Sequence, residues 1–270
     1  MAAINNLDDI IAGLRTQQSI YKASLANAVA GGFTSLWTAN GLPSAGATPA
    51  SGSGVVPTSA TAGAIPIPAL SSGETLYLAG AQPAQAVAGV LILIDRLVHT
   101  SGLLGNVATA QTVNTTALTR YTDGVGVEAA LEWYTATGAT AVTYTASYTE
   151  ATGTTPGGRT SISTAIPTNT NVGRVIPFAG LGAGHLGVKS VETVTLSAST
   201  LTAGNFGVTL FKRLAQFPII LANNGAIFDA LAVKTALQDY GDSAPCLSFL
   251  VLCSATTTGL MAPTIQFAVK

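Results

Sequence analysis

The chain has 270 residues, enough for one large or two small domains with a sizeable core and no need of disulfide staples. Only 9% of residues are charged while 48% are hydrophobic, so Thr, Ser, Gly and Ala stand where an ordinary soluble domain carries charge. The net charge is −1 and no run of Lys or Arg occurs, which excludes direct nucleic-acid binding through counterion release; a surface so poor in charge implies cover by partner subunits.

The opening residues carry acids and no apolar signal-type run, which predicts a protein that stays where it is made, in the cytoplasm. Asn6 is a good N-cap, Asp8 and Asp9 suit the start of a helix, and Leu7, Ile10, Ile11, Leu14, Tyr21 and Leu25 form an apolar stripe. This predicts an amphipathic helical arm over residues 1–40, with the helix stopping at Gly31 and Gly32. Residues 41–73, with Pro43, Pro49, Pro57 and Pro66 among many Ser, Thr, Ala and Gly, predict an extended tether of up to about 60–70 Å. An arm on such a tether is expected to lay its stripe on a neighbouring subunit.

Residues 74–270 predict a mainly β body, a jelly roll or β-sandwich with one or two short helices. Val90 to Ile94 is a continuous apolar run, as in a strand covered on both faces, and Leu97 and Val98 prolong it. Residues 128–134 follow, with Trp133 inward. Val142, Tyr144, Ala146 and Tyr148 then alternate with Thr143, Thr145, Ser147 and Thr149, and a glycine-rich turn at 153–158 reverses the chain into Ile162, Thr164 and Ile166. Further strands are predicted at 173–178, 188–197, 206–214, 246–253 and 264–269, with one helix over 226–240. The apolar stretch 76–98 contains Gln82, Pro83, Gln85, Asp95 and Arg96 and makes a poor membrane span.

Little points to catalysis. Cys246 and Cys253, an odd spacing apart, face opposite sides of a strand and are expected buried and reduced. With His99 and His185 as the only histidines, no metal site or nucleophile elbow can be assembled from spacing, and no cofactor is implied. Gly182-Ala-Gly-His-Leu-Gly187 has the letters of a dinucleotide fingerprint, but a strand-like stretch follows where a helix is required. Glu128 and Glu132, flanking Trp133 and Tyr134, would point the same way from a strand and are read as solvent-facing charges, with a carboxylate pair as the alternative. Trp133, Tyr134, Tyr144 and Tyr148 are candidate sugar-stacking rings.

The motifs Arg96-Leu-Val-His-Thr-Ser-Gly-Leu, Glu128-Ala-Ala-Leu-Glu-Trp-Tyr-Thr-Ala-Thr-Gly, Gly173-Arg-Val-Ile-Pro-Phe, Ser190-Val-Glu-Thr-Val-Thr-Leu and Ala203-Gly-Asn-Phe-Gly-Val resemble structural proteins encoded by tailed bacteriophages. The resemblance covers residues 90–260. It implies a virion component assembled in the host cytoplasm, without enzymatic activity, and among these a capsid decoration or cement protein. The partners so implied are the major capsid protein and copies of the chain itself, as a homotrimer or another homo-oligomer. A tail, neck or fibre-base component and a carbohydrate-binding surface module are the alternatives.

Overall fold

The computed structural model describes residues 4, 6–26, 28–52, 54–113, 115–223, 225, 227–229 and 245–270. It is mainly β, with one short helix among the described residues, α1 (Leu7–Gly13). The first strands are β1 (Gln18–Ser19), β2 (Tyr21–Lys22), β3 (Phe33–Ser35), β4 (Gly41–Leu42), β5 (Leu76–Gln82) and β6 (Gly89–His99). Next come β7 (Gln111–Thr112), β8 (Val127–Thr135), β9 (Val142–Glu150), β10 (Arg159–Thr160), β11 (Thr164–Ile166) and β12 (Arg174–Pro177). The last are β13 (Val188–Leu196), β14 (Asn205–Ile219), β15 (Phe228–Asp229), β16 (Leu247–Cys253) and β17 (Thr264–Val269).

Six strands close a barrel in the order β12-β3-β16-β6-β14-β8, each paired antiparallel to the next. Alternation along β6 divides its side chains between two environments. Ile92 and Ile94 join Ala130, Val175, Phe211 and Leu250 in one apolar cluster, the barrel interior. Leu91 and Leu93 face the other way, into a core shared with the flanking sheet β1-β17-β5-β15. A third core, holding Leu131, Trp133 and Val208, lies between the barrel and the sheet β10-β9-β13-β7, with β11 also on β9. Closure removes the strand edges of the barrel, and the two sheets cover its apolar outer faces.

The long strands of the body form where periodicity places them. β6 is covered on both faces, as its unbroken apolar run requires, and β9 returns through β10 and β11 as the predicted hairpin. Ile162 departs from the expected alternation and is exposed.

The N-terminal third differs. The helix ends at Gly13, well short of Gly31. Gly13 lies so close to the C-terminal strand that a Cβ there would come within 2.3 Å of the Val269 carbonyl oxygen. Beyond it the backbone hydrogen-bonds to the C-terminal chain: Arg15 N–H to Phe267 O at 3.0 Å, Ile20 N–H to Pro263 O at 3.0 Å and Lys22 N–H to Met261 O at 2.9 Å. These contacts displace the continuation of a helix that had only a weak stripe to hold it. Phe33–Ser35, assigned to the arm, is a strand of the barrel itself.

The expected tether is also laid on the body. Val55 and His99 exchange backbone bonds of 2.9 and 3.0 Å, Ser101 Oγ donates to Pro49 O at 2.7 Å, and Ile65 N–H donates to Leu247 O at 2.8 Å. A proline-rich stretch cannot donate a regular ladder, but its carbonyls and remaining amides are satisfied one at a time by the barrel. Of the helix expected over 226–240, Phe228–Asp229 form a strand on β5, and residues 226 and 230–240 lie outside the described residues.

Candidate functional site

Asp95 and Arg96 interrupt an otherwise apolar strand, and being consecutive they leave β6 on opposite sides. Arg96 points into the barrel. Its Nη1 and Nη2 donate to Glu132 Oε2 at 2.6 Å and Oε1 at 3.0 Å, and Nη2 donates to Ser35 Oγ at 2.9 Å. Thr209 Oγ1 donates to Glu132 Oε2 at 2.5 Å, and the Trp37 ring lies 4.7 Å from the guanidinium carbon. Burial alone would raise the Glu132 pKa, but the Arg96 charge and these hydrogen bonds outweigh it and hold the carboxyl down at about 2.

Asp95 points outward into the loop before β8. Arg120 Nε and Nη2 hold its two oxygens at 2.8 and 2.9 Å, while Cys246 N–H donates to Oδ1 at 2.9 Å. Arg120 Nη2 also donates to Pro57 O at 3.1 Å and to Arg96 O at 2.9 Å, so one side chain fastens the proline-rich segment to the barrel. Here burial prevails over the pair and pushes the Asp95 pKa up. Sequence reasoning passed over this second pair; the signal was present as two opposite charges inside an apolar run, which a buried strand tolerates only when each has a partner.

Glu132 is therefore a buried ion-pair member and not a solvent-facing charge. Glu128 lies on the same side of β8 at a barrel mouth, where Arg213 holds it at 2.7 and 2.9 Å. The two carboxylates do not face one another across a cleft. Each is neutralised by its own arginine.

His185 joins a hydrogen-bonded chain on the outer sheet. Its Nδ1 lies 2.6 Å from the Tyr148 hydroxyl, its Nε2 lies 2.9 Å from Glu150 Oε2, and Arg159 Nη2 donates to Glu150 Oε1 at 2.8 Å. The order resembles a nucleophile, base and acid, but the Tyr148 side chain is fully buried and its oxygen also accepts from Gly182 N–H at 3.2 Å. A cleft of about 380 Å³ beside Glu150 and Arg159 presents charges already paired with each other. The cluster pins the glycine-rich turn to β9, and the strand β13 follows that turn where a nucleotide-binding loop would open a helix.

The remaining candidates are interior. Trp133, Tyr134, Tyr144 and Tyr148 are all buried, so none offers a stacking face to a sugar. Cys246, just before β16, and Cys253, at its end, are buried free thiols in different apolar clusters, the first beside Trp37 and the second in the core against the sheet containing β5. His99 is buried at the end of β6 with Nδ1 unpartnered, and burial, with the charge of Arg96, lowers its pKa to about 3. Among the described residues no cluster of three or more His, Cys, Asp or Glu could hold a metal, and no helix is long and apolar enough to cross a membrane.

The arm stripe divides in two. Ile10 is buried and Leu25 packs against the core, whereas Leu7, Ile11, Leu14 and Tyr21 are 50, 58, 42 and 46% exposed. Tyr21 pairs across the sheet with Leu42, itself 58% exposed. This is an apolar face lying on the body yet left open. No family model, curated protein or solved structure matches the chain.

Proposed function

We propose that this chain is a structural virion protein of a tailed bacteriophage, a capsid decoration or cement protein that acts by contact with neighbouring subunits and without covalent chemistry. The observation that carries the reading is the open apolar face of Leu7, Ile11 and Leu14, together with the exposed Tyr21 and Leu42, on a molecule whose interior ion pairs are already complete. Scattered exposed apolar residues are ordinary, but two on successive turns of a short helix, with a third at its C-cap, in a chain with 9% charged residues present a surface that favours cover. The motif resemblance over residues 90–260 supplies the virion setting, with the barrel and its flanking sheets read as a jelly-roll-like body. The neighbours would be the major capsid protein and further copies of the chain, as a homotrimer or other homo-oligomer. Repeated weak contacts on a lattice add through effective concentration and hold capsomers against internal pressure.

Quantitative mass spectrometry of purified particles tests the reading. Hundreds of copies per particle support decoration; a few dozen or fewer favour a tail or neck position, and absence from particles overturns the proposal.

A further inference from the structure

Among the described residues Asn40 is the one asparagine followed by a glycine, and the structure leaves both reacting groups of that pair free. The side-chain carbonyl carbon of an asparagine lies within reach of the next backbone nitrogen, the two closing an imide ring, and a glycine there, without a Cβ, hinders the approach least. Asn40 is exposed, and its side-chain amide makes no hydrogen bond. The Gly41 N–H is free for a reason of register. Lys22 stands opposite Gly41 in the β2–β4 ladder, but its own N–H and carbonyl are spent on Met261, at 2.9 and 3.0 Å. Next to it Ala23 N–H donates to Asn40 O at 2.8 Å, so Lys22 and Gly41 form a non-hydrogen-bonded pair whose amides point away from each other.

Only glycine fits at position 41. Its φ is +144°, and a Cβ would fall 2.0 Å from the Tyr21 carbonyl oxygen. The packing that requires this glycine therefore retains the reactive pair. Lys22 Nζ straddles it, donating to Ala39 O at 3.0 Å and to Pro43 O at 2.9 Å, so a change of chain length between those carbonyls acts on a buried ammonium.

We propose that Asn40 is a site of spontaneous deamidation, a modification whose only co-reactant is water. The Gly41 nitrogen gives its proton to solvent base and attacks the Asn40 side-chain carbonyl carbon. A carbon–nitrogen bond forms there, the bond to the side-chain nitrogen breaks, and ammonia leaves. Water then opens the imide at either carbonyl, giving an aspartate or an isoaspartyl link in which the backbone runs through the former side chain. Either product adds one negative charge to a chain of net charge −1, two positions before Leu42, which is 58% exposed. The isoaspartyl product also lengthens the backbone by one carbon inside the span that Lys22 holds. The inference stands on this local chemistry and not on the virion reading; under that reading, a subunit left uncovered gains charge beside its open face.

Peptide mapping by mass spectrometry of the native full chain, aged in mildly alkaline buffer and kept folded by circular dichroism, tests the site. Conversion of Asn40 is expected to outpace that of Asn106, Asn169 and Asn171 by at least about tenfold, equivalent to a barrier lower by about 1.4 kcal/mol. It is expected to quicken as pH rises, because the attacking species is the deprotonated amide. Asn224, which also precedes a glycine and lies outside the described residues, is read on a separate peptide. In N40Q, whose longer side chain disfavours the ring, the amide at position 40 is expected to survive the same treatment. An Asn40 left intact in the folded chain, conversion no faster than at the other three, a rate that ignores pH, or N40Q losing its amide as fast as wild type would each overturn the proposal.

Discussion

The barrel centre and the N-terminal face treat charge in opposite ways. Inside, Arg96 and Asp95 each close on a partner within 3.0 Å, and the pairs fasten β6 to β8 and to the proline-rich segment. At the surface, Leu7 and Ile11 stand open beside the exposed Asp8, which has no ion partner among the described residues, while Arg174 keeps Nε and Nη1 buried without a hydrogen bond. A low-charge sequence has few such groups to place; those inside serve the fold, and those left open are the ones the proposed function assigns to contacts with neighbouring subunits. The difference separates substitutions that unfold the molecule from substitutions that only isolate it.

The largest expected effect falls on the interior. R96M leaves Glu132 fully buried and unpaired, and should cost about 3–5 kcal/mol in urea unfolding. A loss below about 1 kcal/mol would show that the interior pair does not hold the barrel.

Acid should act next, through groups of the same region. His99 has a folded pKa of about 3 against 6.5 unfolded, so between these values the unfolded chain binds a proton that the folded chain does not. Stability therefore falls as pH falls from 6.5 toward 3, by at most about 1.4 kcal/mol per unit for this one group. Glu132, lowered to about 2 from 4.5, adds a loss of the same sign below pH 4.5. H99Q should flatten the slope of stability between pH 6.5 and 4.5, measured by urea unfolding at each pH, while leaving the steeper loss below it. An unchanged slope would remove His99 from the account.

The smallest expected effect on stability is at the open face. The double variant L7S/I11S should unfold within about 0.5 kcal/mol of wild type, because both side chains are half or more exposed.

The same contrast governs what the sequence disclosed. β6, β9 and β17 were legible because each carries its own period, a continuous apolar run for a strand covered twice or alternation for one covered once, whereas in β13 two bulges break the period. The N-terminal third was not, because its structure is imposed from outside. Gln18 pairs with Ile265 and Thr34 with Val251, partners more than two hundred residues away, and a 2- or 3-residue strand has no period to read. Lys22 illustrates the point: this lysine beside the stripe residue Tyr21 is buried, with Nζ donating to the Ala39, Pro43 and Ser44 carbonyls. Of the six stripe residues, four lie on the open surface, but as a helix turn and a strand, not one continuous helix. Arg174 gave no sequence signal, since its lack of a partner is visible only once every neighbour is placed.

The central claim is that the open N-terminal face exists for attachment and not for folding. The direct measurement is co-sedimentation of purified L7S/I11S and wild-type protein with particles lacking the native copies. The account predicts that the variant, folded by circular dichroism, loses most of its particle binding while wild type binds to saturation; equal binding by the two would contradict it.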